Sequence, residues 1–230
     1  MIPTIIIPAI SRYDLLERCL GSITSADTVI VIDNGDYLNA SDYEAYFLSG
    51  ILDGIDAFYV WSMPTNLGVA SSWNLGIKST PFSAGWLLLN SDAHFVDDGF
   101  ATLAGEVRAD NVVLAGNPPW CCAWIGREAV RDVGLFCERF HPAYFEDNDY
   151  ERRCEIAGVS IVRSAATVAH DNSSTLAASD DFRARNAETF ATNADYFKRR
   201  WGNVDASGLP AVADWDLRTR LANSWDSPND

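Results

Sequence analysis

The chain has 230 residues, 48% of them hydrophobic and 21% charged, which is enough for one sizeable core. Its 17 basic and 32 acidic residues give a formal charge of −15. That balance argues against sequence-independent binding to nucleic acid, which needs cationic contacts to phosphate. It does not exclude nucleotides, because a bound metal ion can supply the local positive charge.

The N-terminal stretch MIPTIIIPAISRYDLL has no early basic residue and no long apolar run. It reads as a buried strand from the outset, not as a signal peptide or a membrane span. Thr4 to Ile7 is β-branched and apolar and is expected to stop at Pro8. Tyr13 to Leu20 carries apolar residues at helical spacing, with Ser11 as its expected cap. Thr28 to Ile32 is a second buried strand, ending at the turn Asp33-Asn34-Gly35-Asp36. Ala57 to Trp61 is a third. After Asn66-Leu67-Gly68 the segment Val69 to Lys78 is helical in pattern, and Gly85 to Leu89 is a fourth buried strand closing on Asn90-Ser91-Asp92. Asn111 to Gly116 reads as a further strand. A short apolar segment, Trp120 to Ile125, precedes an amphipathic helix from Arg127 to Val133. Helices are expected over Asp149 to Ala157 and Phe182 to Trp201, stopped by Gly158 and Gly202, with a late strand at Val159 to Val162. The last 28 residues, 203–230, are polar and read as a packed helix or a tail.

Continuous apolar strands alternating with helices imply an α/β fold with a mostly parallel sheet covered on both faces. Ligands on such sheets sit beyond the carboxyl ends of the strands. Asp33, Asn66 and Asp92 each follow a strand end and are expected on one rim. No run approaches 18 apolar residues. The five cysteines are odd in number, include the adjacent pair Cys121-Cys122, and form no CxxC spacing. Reduced thiols in a soluble cytoplasmic protein are the expectation.

Each polar constellation has a plain structural account beside a chemical one. Asp33 and Asn66 suit turns, and Gly68 can supply a positive φ. Neither GxGxxG nor a P-loop is present. Asp92 beside a second oxygen donor could hold Mg²⁺ or Mn²⁺, or could simply close a turn. His94 reads as pointing outward, and His170 as either structural or a ligand. Between Glu146 and Glu151 the chain carries four carboxylates, Glu146, Asp147, Asp149 and Glu151. Acids near a helix N-terminus suit its dipole. Like charges so close also raise each other's pKa values, as a general base requires.

Taken in order, these segments resemble a GT-A glycosyltransferase of family 2, closest to its rhamnosyl- and galactofuranosyl-transferase-like branch, over Pro3 to Gly202. The resemblance rests on several matches: the first βα unit through Pro8, Val31-Ile32-Asp33-Asn34-Gly35, and Asn66-Leu67-Gly68 through Asn74-Leu75-Gly76. Leu88-Leu89-Asn90-Ser91-Asp92 stands at the DxD position. Val133-Gly134-Leu135-Phe136, then Phe145-Glu146-Asp147-Asn148-Asp149-Tyr150 with Arg153, resembles the family's acidic motif. His170 and Tyr196 to Gly202 complete the series.

The resemblance implies a GT-A domain over 1–202 and an inverting glycosyltransferase that uses a UDP- or dTDP-linked sugar. Asp147 would be the base, and Glu146 would shape the acceptor site. Pro8, Asp33, Asn66, Gly68, Asn74 and Ser91 would line the nucleotide. Asp92 and His170 would hold Mn²⁺ or Mg²⁺, and Arg153 would steady the acidic cluster. The acceptor, a glycan, lipid-linked sugar or protein, would meet Trp120, Cys121 and Tyr144. Asn90 departs from the motif, leaving one carboxylate in the triplet. A non-catalytic nucleotide- or glycan-binding protein of the same fold is the alternative. A nucleotidyltransferase would need a Gly- and basic-rich loop where Pro8 to Asp14 offers only Arg12.

Overall fold

A computed structural model describes residues 1–35, 50, 52–171 and 180–202. The expectations for Asp36 and for 203–230 lie outside the described residues. In chain order the elements are β1 (Ile2–Ala9), α1 (Tyr13–Gly21), β2 (Ala26–Asp33), β3 (Ile55–Ser62), α2 (Val69–Ser79), β4 (Gly85–Leu89), β5 (Ala93–Phe95), α3 (Gly99–Glu106) and β6 (Val112–Ala115). A single 3₁₀ turn (Pro119–Cys121) leads into β7 (Cys122–Gly126), α4 (Arg127–Val133), α5 (Glu146–Ala157), β8 (Ile161–Arg163), β9 (Val168–His170) and α6 (Asp180–Trp201).

Among the described residues, seven strands form one sheet in the order β3-β2-β1-β4-β7-β6-β8, and β5 and β9 form a small second sheet. β1, β2, β3 and β4 run parallel, β7 is antiparallel to both its neighbours, and β8 is parallel to β6. Alternation along β1 and β4 feeds two cores. Ile5, Ile7, Leu87 and Leu89 face Leu16, Cys19 and Leu20 of α1 and Leu103 of α3. Ile6 and Leu88 face Trp73 and Ile77 of α2, Val130 of α4 and Tyr150 of α5. The result is a helix–sheet–helix sandwich, as the apolar strands demand. Within the described residues no helix is long and apolar enough to cross a membrane.

Several expectations need correction. β1 runs through Pro8 to Ala9. Its pairs with β4 are Ile5–Leu87 and Ile6–Leu88, so Pro8 lies past them and its missing N–H breaks no rung on that side. Ser11 does not cap α1. Arg12 takes that place in a left-handed conformation (φ 53°, ψ 52°) with no side-chain cap bond. His94 is half-buried, pairs with Ala169 across the small sheet, and leaves a buried Nδ1 without a hydrogen bond. The helix expected from Asp149 begins at Glu146, which puts Glu146, Asp147 and Asp149 in its first turn.

Asp149 ties this helix to the end of the chain. Its carboxylate is fully buried and accepts from Arg153 Nε (2.9 Å), Arg200 Nε (2.8 Å) and Trp201 Nε1 (3.0 Å). Arg153 Nη1 donates onward to the Val133 carbonyl at 3.0 Å. Around this cluster α6 closes a third apolar patch of Cys137, Phe140, Phe197 and Trp201. Removing one partner of a buried ion pair leaves the others charged and unpaired, which costs about 3–5 kcal/mol. Asp149→Ala should therefore lose about that much stability in urea unfolding, whereas Asp132→Ala, whose ion pair with Arg131 is exposed, should change it by less than about 1 kcal/mol.

Candidate active site

Four parallel strands place their carboxyl ends on one edge, so Pro8, Asp33, the Asn66–Gly68 loop, Ser91 and Asp92 share a rim. Asp33 ends β2 fully buried. Its Oδ1 accepts the Tyr13 hydroxyl at 2.8 Å and the Gly35 N–H at 2.9 Å. A Cβ on Gly35 would stand 2.4 Å from that hydroxyl and 2.5 Å from the Ile10 carbonyl oxygen, so the turn closes only around glycine. Asn34 Oδ1 accepts the Leu67 N–H at 2.9 Å, and its Nδ2 donates to Ser72 Oγ at 3.1 Å. Asn66 forms its own turn by accepting the Gly68 N–H at 2.8 Å. Gly68 has φ 78°, and a Cβ there would lie 2.7 Å from the Pro142 carbonyl oxygen. The backbone needs glycine at this point for both reasons.

Asp92 and His170 are 78 residues apart and meet at 2.9 Å, Oδ1 to Nε2, because β5 pairs with β9 in the register Ala93↔His170. The Asp171 N–H also donates to the Asp92 carbonyl at 3.0 Å. Two adjacent ligands of an octahedral Mg²⁺-like cation, each about 2.1 Å from it, stand about 3 Å apart. The two groups are hydrogen-bonded to each other here, and the same spacing would let one carboxylate and one imidazole hold a divalent cation in place of that bond. Among the described residues no group of three or more His, Cys, Asp or Glu side chains is set to hold a metal. Such a cation would complete its shell from ligand oxygens and water, as Mg²⁺ commonly does. Asn90 Nδ2 lies 3.5 Å from His170 Nε2, so the departing residue of the triplet still borders the pair.

The acids at the start of α5 follow two consecutive left-handed residues, Tyr144 (φ 77°) and Phe145 (φ 73°). This conformation is disfavoured for bulky side chains. Glu146 is buried, and its Oε2 makes no hydrogen bond within the described structure. Burial, and then the Asp147 carboxylate beside it, hold Glu146 well above the usual carboxylate range. Asp147 is half-buried, and its Oδ1 accepts the Asn148 N–H at 2.8 Å. Burial raises its pKa, the Asn148 N–H opposes that rise, and Glu151 adds to it. Glu151 is not loose either: its Oε1 accepts the Trp120 indole N–H at 2.7 Å.

The other residues expected at the site have partners of their own within the fold. Asn74 is buried within α2; its Nδ2 donates to the Phe136 carbonyl (2.9 Å) and Glu138 Oε1 (2.8 Å), and its Oδ1 accepts the Phe136 N–H (2.9 Å). Both N–H groups and one lone pair of its carboxamide go to the loop it anchors, and the side chain is buried, which corrects the expectation of a nucleotide contact. Cys121 is 1% exposed; burial, with Asp92 adding to it, pushes its thiol up to about 12, so it presents no reactive sulfur to an acceptor. All five cysteines are free and buried. Trp120 is mostly buried among Phe136 and Tyr150. Tyr144 is half-buried with its ring edge against Phe190. The sequence reading missed Tyr13 beneath Asp33 and His141, whose Nε2 lies 3.1 Å from the Asn66 carbonyl oxygen. Neither carries a local signal, since each depends on a partner distant in sequence.

No family model matches the sequence, and no curated protein matches it. Solved structures do share its fold. The chain is similar to GalNAc-T7, solved with UDP, GalNAc and Mn²⁺, at TM-score 0.59 and 10% identity over 74% of this chain and 44% of that one. It is similar to the mannosyltransferase PcManGT of Pyrobaculum calidifontis, solved with GDP-Man and Mn²⁺, at TM-score 0.53 and 15% identity over 70% of this chain and 53% of that one. Residues 1–349 of S. aureus TarS match at TM-score 0.51 and 14% identity over 71% of this chain and 58% of that one. The chain spans about half the length of these proteins. Its fold is GT-A.

The raised acids make a prediction about stability. A carboxyl whose folded pKa lies above its unfolded value, about 4.3 for Glu, keeps its proton longer in the folded state. The stability it contributes is complete below the unfolded value and is lost as pH rises through the folded one. Glu146→Gln keeps the shape of the protonated acid and cannot ionise. Thermal melts from about pH 4 to 8 should show the wild-type melting temperature falling more steeply with pH than that of Glu146→Gln. Parallel curves would mean that Glu146 is not held protonated.

Proposed function

We propose that the chain is an inverting glycosyltransferase that moves a sugar from a UDP- or dTDP-linked donor to an acceptor hydroxyl, and that it belongs to the rhamnosyl- and galactofuranosyl-transferase-like branch of family 2. The observation that carries this reading is the Asp92–His170 contact of 2.9 Å, formed at the carboxyl rim of a GT-A sheet. Two proteins sharing that fold were solved with a nucleotide and Mn²⁺, which supports the same class of donor here.

In this reading Pro8, Asp33, Asn66, Gly68 and Ser91 line the nucleoside and diphosphate. Asp92 and His170 hold Mn²⁺ or Mg²⁺. When bound, the cation neutralises the charge that grows on the departing diphosphate. Asp147 accepts the acceptor's hydroxyl proton as that oxygen bonds to the anomeric carbon. The bond from that carbon to the diphosphate breaks, and the nucleoside diphosphate leaves with the electron pair. No enzyme nucleophile forms, so configuration inverts. Burial suits Asp147 to this task by raising its pKa toward neutrality. Buried Glu146 shapes the wall beside it, and the acceptor, a glycan, lipid-linked sugar or protein, enters past Tyr144 and Trp120.

Calorimetric titration of UDP and dTDP, with and without Mn²⁺, on wild type and Asp92→Ala tests the donor half. Binding should require both the metal and Asp92. Binding indifferent to both would leave a non-catalytic nucleotide pocket. Release of nucleoside diphosphate from UDP- and dTDP-sugars tests the chemical half. Asp147→Asn should lower it by about 10²- to 10⁴-fold while nucleotide affinity holds. Unchanged release in that variant would remove Asp147 from the base role.

A further inference from the structure

Asn193 lies in the middle of α6, far in sequence from every residue placed at the candidate site, and is 2% exposed. Its side-chain amide reaches back 50 residues. Nδ2 donates to the Ala143 carbonyl at 2.8 Å, with the His141 and Tyr144 carbonyls at 3.3 and 3.4 Å. These carbonyls belong to the turn that ends in left-handed Tyr144 and Phe145 and delivers Glu146 and Asp147. The same turn is held from the other side. Val69 N–H donates to the Pro142 carbonyl at 2.7 Å, and His141 Nε2 meets the Asn66 carbonyl at 3.1 Å. Phe190, one turn before Asn193, packs on the rings of Tyr144 and Phe145.

We infer that Asn193 is a positioning residue that holds the His141–Phe145 turn in its strained conformation and so aims Asp147 at the acceptor; this rests on the reading of Asp147 as the base. Two adjacent left-handed, non-glycine residues persist only where their surroundings hold them. Apolar packing from Phe190 restrains their rings but offers no hydrogen bond to the carbonyl oxygens of this part-buried turn. The carboxamide supplies that pairing from a rigid helix, itself fastened by the bonds of Arg200 and Trp201 to Asp149. α6 thus holds the surroundings of the base twice, through the turn before it at Asn193 and through its own helix at Asp149. The donor loop touches this turn at His141 and Pro142 but also has anchors of its own in the Asn34–Leu67 bond and the Asn66 turn, so losing Asn193 should spare nucleotide binding.

The test compares Asn193→Ala, Asn193→Asp and Asn193→Gln. Turnover is read as nucleoside diphosphate release from UDP- and dTDP-sugars, and affinity as UDP with Mn²⁺. Misplacing a catalytic group by about 1 Å can cost about 10²-fold, and Asn193→Ala should lower turnover by that order with affinity unchanged. The pH at which turnover rises should move down, because a released Asp147 is less buried. Asn193→Asp has the volume of Asn but turns an oxygen toward three carbonyls, so it should be at least as impaired as Asn193→Ala, while Asn193→Gln should retain more activity. If Asn193→Ala does not fold, the Asp and Gln variants supply the comparison. Equal activity in those two, or wild-type turnover and pH profile in Asn193→Ala, would overturn the inference.

Backbone hydrogen exchange across 141–147, measured without donor, separates this inference from the functional reading. It should quicken in Asn193→Ala while α2 keeps its protection. If Asp147→Asn proves fully active, the base assignment fails, and with it the aiming of Asp147. The exchange result then decides the clamp alone, and unchanged exchange would overturn that too.

Discussion

Asp149 has no exposure to solvent, yet it carries a charge that meets two guanidinium groups and an indole N–H. A carboxylate in that position is tolerable only when its oxygens are fully engaged. The partners come from its own helix and from α6, so satisfying one buried charge fixes how the end of the described chain sits on the sheet. The Nη2 atoms of Arg153 and Arg200 make no hydrogen bond in the described structure. The cluster therefore determines geometry more than it adds stability, and any shift of α6 would strand charge in the interior.

That constraint reaches the candidate chemistry because α5 begins three residues before Asp149. The entry to α5 is irregular: left-handed Tyr144 and Phe145, an unpaired oxygen on Glu146, and raised pKa values at Glu146 and Asp147. Each of these is unfavourable taken alone. They survive because Asp149 anchors the helix from below and Asn193 ties the preceding turn from the side. Rigid support around a locally unfavourable group is what a base with a raised pKa requires.

The other half of the rim follows from strand direction. Parallel β1, β2, β3 and β4 deliver their polar ends to one edge, and the small β5–β9 sheet adds His170 beside Asp92. The two halves are joined through backbone. Gly68 approaches Pro142 too closely for any side chain, and the Asn66 carbonyl meets His141. The loop read as the donor wall and the turn read as the carrier of the base thus share a contact without sharing a residue.

Much of this was legible in the residues. Apolar runs such as Thr28 to Ile32 and Gly85 to Leu89 are buried on both faces and could only be central strands, and the turn residues after them had to lie at strand ends. Helix limits were read closely where glycine stops them, at Gly158 and Gly202. The direction of β7 was not legible, because Cys122 to Gly126 is apolar whichever way it runs. The small sheet was missed because Ala93–Phe95 and Val168–His170 are three residues each, too short for periodicity to show. The start of α5 was placed late because three acids in a first turn look like a loop until Arg153 and α6 neutralise Asp149. Local pattern thus determined which segments are strands and helices and that Asp33, Asp92 and Asp147 fall at their ends. Only the tertiary structure decided that Asn74 and Cys121 are buried away, that Asp92 meets His170, and that Asn193 reaches the turn before Asp147. Each of these is a contact between residues tens of positions apart, set by strand register and helix docking rather than by neighbours in the chain.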